Sequence, residues 1–242
     1  MKSALFNWSG GKDSALALNQ VLNGKEYSVE CLLTSVNEHY DRVSMHGVRI
    51  ELLEAQARSI GIPLRKLLLP EMPTMEVYNK VVGETLSELK FRGIDYSIYG
   101  DIFLKDLRSY REEQMAQVPM KAVFPIWVRD TRELLETFIS EGFQAVIVCV
   151  NEKYLDASFA GRLLDQSFLD DLPAGVDPCG ENGEYHSFVF DGPIFKQPVP
   201  FRLGEVVYRN YQPVTPDDDD NCGVTTSVGY DTGFYFQDLL PD

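Results

Sequence analysis

The chain has 242 residues, of which 44% are hydrophobic, and a formal net charge of -15 at pH 7. This length and apolar content allow one large core or two small ones, and they exclude a disordered chain. The acidic balance argues against binding to nucleic acid, because a protein that neutralises phosphates needs a basic face.

The sequence predicts neither a membrane span nor a disulfide framework. No window approaches the roughly 18 consecutive apolar residues of a spanning helix, and the opening "MKSALFNW" is too short for a signal peptide. We therefore expect no membrane association and a cytoplasmic location. The scattered cysteines form no CxxC pair, which argues against a zinc ribbon, an iron-sulfur cluster or disulfides. These cysteines are Cys31, Cys149, Cys179 and Cys222.

Strands and helices alternate from the start of the chain. Short apolar runs predict strands at 3–8, 28–36, 64–70, 94–100 and 121–127. Apolar residues three or four apart predict helices between them, at 14–23, 47–60, 75–91 and 105–118. Strands separated by helices in this way indicate right-handed βαβ crossovers and a mostly parallel sheet with helices on both faces.

The pattern is less regular after Trp127. The sequence predicts helices at 131–143 and 160–172, a strand at 144–150, and short strands at "HSFVF" and "EVVYRNY". Arg209 is the last basic residue, and seven acidic residues follow it. We therefore predict an α/β domain over 1–127, a smaller α+β domain over 128–209, and an acidic C-terminal extension over 210–242.

The stretch "FNWSGGKDSALAL" places two adjacent glycines between the first strand and the first helix. Each glycine would weaken a helix by about 1 kcal/mol, so they indicate a loop at the carboxyl end of the strand. Ligands collect at such loops, and the following helix N-terminus suits an anion. The spacing fits neither the Walker A motif nor the GxGxxG fingerprint. An ordinary helix start capped by Ser9 or Asp13 is the alternative.

The residues S-G-G-K-D-S resemble the PP-loop signature of the ATP pyrophosphatases in the adenine nucleotide alpha hydrolase-like superfamily. This resemblance implies a HUP-type, Rossmann-like sheet and cleavage of ATP between its α- and β-phosphates. In this interpretation hydrogen-bond donors hold the β- and γ-phosphates, Lys12 adds a positive charge, and Asp13 helps to hold Mg²⁺. The predicted donors are Ser9, Gly10, Gly11 and Ser14.

A second segment, "VDPCGENGEYHSFVFDGPIF" at 176–195, resembles the segment that marks the diphthine-ammonia ligase family. The shorter stretches "MHGVR", "GIPL", "GDI" and "PIWVRD" support this resemblance in the family's order. It implies that ATP, ammonium and the carboxylate of diphthine on elongation factor 2 give diphthamide, AMP and pyrophosphate. The sequence departs from the family at His186-Ser187, where many eukaryotic members have Glu-Thr, and this leaves the acceptor open.

Glu181 and Glu184 lie three residues apart in a glycine-rich turn, so both carboxylates can face one small cavity. Those charges and the ring faces of Tyr185 and Phe188 would attract ammonium. His186 would take a proton from ammonium as the amide forms. The alternative is that the glutamates are solvated turn residues and that His186 is an edge-strand side chain.

Other polar residues are weaker candidates. His46 is either near the nucleotide or a partly buried structural histidine. Gly100 and Asp101 follow a predicted strand and are placed to touch ligand, although Asp101 could instead cap a helix. Asp130 is predicted to cap the next helix, and Cys179 is predicted to be a small buried residue.

The leading hypothesis is an AMP-forming carboxylate-ammonia ligase that uses ATP and Mg²⁺. Its partners would be ATP, ammonium and elongation factor 2, and we also expect that the chain can form a homodimer. A PP-loop enzyme acting on tRNA or on another small molecule is one alternative. A protein that binds an adenine nucleotide without turnover is another, because a shared fold does not imply a shared reaction.

Overall fold

Two β-sheets, one mainly parallel and one antiparallel, organise the fold. The structure, a computed structural model, describes residues 1–37, 42–43, 47–70, 73–211 and 232–242. Parallel strands in the first sheet run in the order β4-β2-β1-β5-β6, and the short β3 pairs antiparallel with the end of β2. The strands are β1 (Lys2–Asn7), β2 (Tyr27–Asn37), β3 (Arg42–Val43), β4 (Leu64–Leu69), β5 (Tyr96–Ile98) and β6 (Lys121–Val123). The predicted parallel, Rossmann-like sheet is confirmed.

Helices cover both faces of this sheet. They are α1 (Lys12–Gly24), α2 (Ile50–Ile60), α3 (Met75–Phe91) and α4 (Lys105–Gln117). Side chains alternate along a strand, so Ala4 and Phe6 of β1 join the core cluster that contains α1 and α2 residues, while Leu5 joins the cluster of α3 and α4. The central strand β1 is therefore buried on both sides.

The second sheet follows a helix and lies mostly in the C-terminal half. Its strands are antiparallel in the order β8-β7-β10-β9. The elements are α5 (Thr131–Ser140), β7 (Gln144–Asn151), a 3₁₀ turn (Ala157–Phe159), α6 (Gln166–Asp171), β8 (Tyr185–Asp191), β9 (Phe201–Tyr211) and β10 (Thr232–Pro241). Buried residues of α1, α2 and this sheet share one core cluster, so the smaller α+β domain packs against the first.

Several predicted elements are shorter than the sequence indicated, and local contacts explain two of these differences. The strand predicted at 121–127 ends at Val123, because the chain turns at Pro125, which has no amide hydrogen to donate. The helix predicted at 160–172 is limited to α6. The amides of Gly161 and Leu164 instead donate to carbonyls of β7, and Asp165 caps α6 by accepting from the Phe168 amide at 2.9 Å.

Part of the predicted acidic extension belongs to the second sheet. Residues 232–241 form β10, which lies between β7 and β9. Its Asp238 forms an ion pair with Arg49 at the start of α2, with 2.7 Å between Oδ2 and Nη2. Residues 212–231, including the run of four aspartates, are not among those that the structure describes. Within the described ranges, no helix is long and apolar enough to cross a bilayer.

The loop after β5 approaches the start of α1 very closely. A Cβ added to Gly100 would lie 3.0 Å from both the Cα and the amide nitrogen of Ser14. Backbone atoms cannot move aside as a flexible side chain can. Glycine at this position therefore lets the β5 loop and the start of α1 touch.

We expect Gly100→Ala to lower the free energy of unfolding by about 1–3 kcal/mol, because the new methyl group must push α1 away from β5. The control is Gly83→Ala in the middle of α3, where an added Cβ meets no atom within 4 Å. That change should stabilise the protein by about 0.5–1 kcal/mol, since alanine favours a helix. Urea denaturation followed by circular dichroism measures both. Equal effects for the two variants would contradict the close approach.

Candidate functional site

The glycine-rich loop joins the central strand β1 to helix α1, as predicted. Gly11 is the residue that precedes the helix, and no side chain caps it. The Ser14 hydroxyl donates to the Gly11 carbonyl at 2.8 Å and accepts from the Ser9 hydroxyl at 3.1 Å. The alternative of an ordinary helix start capped by Ser9 or Asp13 is therefore wrong.

The four amides of residues 9–12 fall into two pairs, one bound by side-chain hydroxyls and one without a protein acceptor. The Gly11 amide donates to the Ser9 hydroxyl at 3.3 Å, and the Lys12 amide donates to the Ser187 hydroxyl at 3.2 Å. The amides of Ser9 and Gly10 donate to no acceptor in the part of the chain that the structure describes. A helix N-terminus carries about half a positive charge, so these groups suit an anion such as a phosphate.

The fully buried Gln56 of α2 fixes the shape of the loop. Its Oε1 accepts from the Trp8 indole at 2.9 Å, and its Nε2 donates to the carbonyls of Gly10 at 3.0 Å and Val189 at 2.6 Å. The Val189 amide on β8 also donates to the Gly10 carbonyl at 2.9 Å. Gly10 has a φ of +81°, and a Cβ there would lie 2.8 Å from Oε1 of Gln56. The Gly10 carbonyl is therefore held from both sides, by Gln56 of α2 and by Val189 of β8.

Lys12 is buried, and its ammonium is bound by the protein itself. Nζ lies 2.8 Å from Oδ2 of Asp13, donates to the Cys179 carbonyl and sits 5.0 Å from the centre of the Tyr185 ring. Burial alone would lower the pKa of Lys12, but the adjacent Asp13 carboxylate raises it overall. The lysine therefore stays charged and fastens the loop to the second domain.

Asp177 organises the turn that carries the two glutamates. Its carboxylate accepts from the amides of Cys179 at 3.0 Å and Glu181 at 3.2 Å, and from the Thr131 hydroxyl at 2.7 Å. Its own amide donates to Oε1 of Glu184 at 3.1 Å. The turn is thus closed by side-chain oxygens bound to its own backbone.

The two glutamates do not face one cavity. Glu184 is 1% exposed, and its carboxylate accepts from the amides of Asp177 and Asn182 and from the Asn182 side chain. Glu181 instead reaches the first domain, where Oε1 accepts from the Ile102 amide at 3.1 Å. Glu184 therefore shapes the turn, and Glu181 is the carboxylate presented towards α1 and the β5 loop.

The pKa of Glu181 is raised to about 7, first by burial and then by the neighbouring Asp13 carboxylate. A carboxyl group with a pKa near neutrality is suited to proton transfer at physiological pH. Glu181 therefore combines a position beside the loop with the chemistry of a general base.

The aromatic and imidazole groups predicted around an ammonium are arranged differently. The face of Tyr185 is occupied by Lys12, and Phe188 is buried edge-on against Phe201. Side chains alternate along β8, so His186 points to the sheet face opposite Tyr185 and Ser187. Since those two residues face Lys12, the structure does not bring His186 to the loop.

The structure places the weaker candidate residues in different roles. Gly100 packs on α1, and Asp101 caps no helix but pairs with Arg111 of α4, with 2.6 Å between Oδ2 and Nε. Asp130 caps α5 by accepting from the Glu133 amide at 2.9 Å, as predicted. His46 lies outside the described residues.

Cys179 is buried, and burial raises the pKa of its thiol. Its Sγ lies 3.2 Å from the Thr131 carbonyl, to which it donates. A thiol that stays protonated is a poor nucleophile. The prediction of a structural cysteine agrees with this environment.

A narrow cleft of about 30 Å³ lies at the carboxyl edge of the first sheet, on the side covered by α3 and α4. Asn7, the last residue of β1, is part of its wall. The other polar and aromatic residues that line it are Ser35, Tyr78, Tyr99, Arg111 and Gln114. Ligands of parallel α/β sheets bind at this edge.

Three residues that shape the site were not predicted. Gln56 could have been recognised from the sequence, because it is a polar residue on the apolar face of an amphipathic helix. Ser187 and Asp177 had no such signal, since serine and aspartate are ordinary residues in strands and turns. Among the described residues, no cluster of three or more acidic, histidine or cysteine side chains could hold a metal ion alone.

These features define an α/β protein whose central strand leads into an anion-binding loop of the PP-loop kind. Family models match most of the chain: the diphthamide synthase N-terminal domain over residues 1–122 and the diphthamide synthase C-terminal domain over 130–211. The chain therefore belongs to the diphthamide synthase family, as the sequence predicted.

Curated relatives agree with this family. Diphthine-ammonia ligase from Homo sapiens is 27% identical over 232 residues, which cover 86% of this chain and 86% of that protein. The enzymes of the same name from Bos taurus and Danio rerio are 28% and 25% identical, and each alignment also covers 86% of this chain. The prediction that the protein is a ligase is confirmed by these comparisons.

We expect Glu184→Gln to lower the free energy of unfolding by about 2 kcal/mol. The amide would turn a donor towards the backbone amides that Glu184 accepts from, leaving buried groups unsatisfied. Thermal and urea denaturation measure the loss. Glu181→Gln is the matched control and should change stability by less than about 0.5 kcal/mol, since the Ile102 amide keeps an acceptor. Equal losses in the two variants would contradict their different roles.

Proposed function

We propose that this protein is an ATP-dependent ligase that joins ammonia to a carboxylate and releases AMP and pyrophosphate. The observation that carries the proposal is the uncapped start of α1, with the free amides of Ser9 and Gly10 at the end of the central strand. The family and the names of its relatives support this reaction. Residues 1–127 would bind ATP, and residues 128–209 would present the acceptor in a cytoplasmic enzyme.

The reaction has two steps. An oxygen of the acceptor carboxylate attacks the α-phosphorus of ATP, the bond to the β-phosphate oxygen breaks, and pyrophosphate leaves. Ammonia then attacks the acyl carbon, and AMP leaves with the oxygen that joined it to the acyl group. A base accepts the proton that nitrogen loses, so charge and atoms balance.

The loop would hold the two outer phosphates of ATP. The amides of Ser9 and Gly10 supply hydrogen bonds, and the N-terminus of α1 supplies positive potential. Lys12 would act indirectly, because its ammonium is bound to Asp13 and Cys179. It is therefore a positioning residue that keeps the loop against the second domain.

Mg²⁺ fits beside Asp13. The Asp13 side chain is 28% exposed, and only its Oδ2 is engaged by Lys12. Mg²⁺ usually takes one or two carboxylates and substrate phosphates rather than a protein cage, so one aspartate is sufficient. When bound, the ion would neutralise the phosphate charge that develops as pyrophosphate leaves.

Glu181 would be the base that accepts a proton from ammonium. It reaches from the second domain to the Ile102 amide and lies near enough to Asp13 for that charge to raise its pKa. Glu184 supports it by closing the turn. We do not assign a proton-transfer role to His186, because it lies on the other face of β8.

Diphthine is the acceptor that the relatives' name supports, and we propose elongation factor 2 as the protein that carries it. We also expect the chain to form a homodimer.

We expect the protein to convert ATP to AMP when Mg²⁺, ammonium and elongation factor 2 carrying diphthine are all present. Omission of ammonium should stop formation of the amide. Chromatography separates AMP from ADP, and mass spectrometry detects the loss of one hydroxyl and gain of one amino group on the acceptor. Formation of ADP would contradict the scheme. Binding of ATP without any AMP would favour a protein that only binds nucleotide.

We expect Glu181→Gln to lower kcat by about 100-fold or more, with ATP binding unchanged, because a general base contributes about that much. In the wild type, kcat should rise as pH increases through about 7, since the base works only when deprotonated. In Glu181→Gln this rise should disappear. Steady-state rates measured between about pH 5.5 and 8.5 test both effects. These limits lie about one to two pH units below and above the pKa of Glu181. A variant that keeps the wild-type pH profile would exclude Glu181 as the base.

A further inference from the structure

The β5 loop, residues 99–104, touches both halves of the proposed site. At Gly100 it packs on the backbone of Ser14 in the first turn of α1, where an added Cβ would lie 3.0 Å from the Ser14 Cα. At Ile102 its amide donates to Oε1 of Glu181 at 3.1 Å. The conformation of this loop therefore sets where the proposed base lies relative to the start of α1.

Arg111 of α4 holds the β5 loop on both sides of Gly100. Its Nε donates to Oδ2 of Asp101 at 2.6 Å, and its guanidinium carbon lies 4.5 Å from the centre of the Tyr99 ring. A planar guanidinium can bind a carboxylate while it stacks on an aromatic face. The side chains of Arg111 and Asp101 are only 23% and 15% exposed, so salt screens their ion pair weakly.

The anion-binding loop is held by other residues. Gln56 and the Val189 amide both donate to the Gly10 carbonyl, and these hydrogen bonds do not involve the β5 loop. A change at Arg111 should therefore displace Glu181 more than it displaces the amides of Ser9 and Gly10.

We propose that Arg111 is a positioning residue that fixes the β5 loop and, through the Ile102 amide, places the Glu181 carboxylate. This inference rests on the proposed function of Glu181 as the base. Glu181 still accepts the proton from ammonium, and Arg111 and Asp101 keep their charges throughout. Without the guanidinium, the Asp101 carboxylate would lose its cation, and the loop would lose both contacts that flank Gly100.

A double-mutant cycle with Glu181 tests this role. We expect Arg111→Met to lower kcat by about tenfold or more, because a small displacement of a catalytic group has effects of that size. The dissociation constant of ATP should change by less than about threefold. In the Glu181→Gln background, Arg111→Met should cause no further loss of kcat, since the two residues act as a unit. Equal losses in both backgrounds would overturn the proposal.

Hydrogen exchange followed by NMR tests the same contact without catalytic turnover. Ile102 is fully buried, and its amide is hydrogen-bonded to Glu181. In Arg111→Met this amide should exchange about tenfold faster or more, while the amides of α2 keep their wild-type rates. An unchanged Ile102 rate would overturn the proposal, whether or not the protein forms AMP. Wild-type kcat in Glu181→Gln would instead count against the proposed function.

Arg108→Met is the matched control. Arg108 lies three residues earlier on α4, pairs with Glu112 at 2.8 Å and stacks on the rings of Phe124 and Trp127 at 4.8 and 4.7 Å. Its side chain thus makes the same kinds of contact as Arg111, but none of them with the β5 loop in the described ranges. Arg108→Met should keep the wild-type kcat and the wild-type Ile102 exchange rate. Losses equal to those of Arg111→Met would contradict the proposal.

Circular dichroism checks that every variant is folded. If Arg111→Met does not fold, Arg111→Lys takes its place in the same cycle and in the exchange measurement. Lysine keeps the positive charge but loses the planar group, so we expect a smaller loss of kcat, about threefold. A loss of that size that persists in the Glu181→Gln background would overturn the proposal.

Discussion

The Gly10 carbonyl accepts hydrogen bonds from the Val189 amide and from Gln56, so one peptide of the loop is held by β8 and α2 together. The two preceding amides, of Ser9 and Gly10, donate to no acceptor in the described part of the chain. A loop with unpaired amides is stable only if the rest of its main chain is fixed, because ordering a flexible backbone costs about 1–2 kcal/mol per residue. The second domain supplies that rigidity, and it also supplies Glu181. The proposed anion site and the proposed base are therefore placed by the same contact between domains.

Charged groups around this contact have divided roles. Lys12 faces Asp13 and the Cys179 carbonyl, and Asp101 faces Arg111. These ion pairs are partly buried, and they hold neighbouring segments of the protein together. The Glu184 carboxylate is stabilised by hydrogen bonds from backbone amides rather than by a cation. Glu181 accepts a hydrogen bond from the Ile102 amide and has a raised pKa, which distinguishes it from its neighbours.

The sequence predicts the parts of the fold that depend on local pattern. The apolar periodicity of 75–91 matches α3, and the loop between Ser9 and Ser14 lies where the motif indicates. Contacts between distant segments have no local signal. The burial of Glu184 depends on Asp177 and Asn182 folding back, and the orientation of His186 depends on which face of β8 meets α1. The resemblance to the family identified both glutamates, but only the tertiary contacts distinguish them.

The position of β10 has a consequence for synthesis of the protein. Thr232–Pro241 comes after β7, β8 and β9 in the chain, yet it lies between β7 and β9 in the sheet. On the ribosome, β9 has no neighbour to pair with until this stretch has emerged from the exit tunnel. The nascent chain can therefore fold its first sheet early, while the apolar edge of β9 remains accessible to chaperones until β10 has left the exit tunnel.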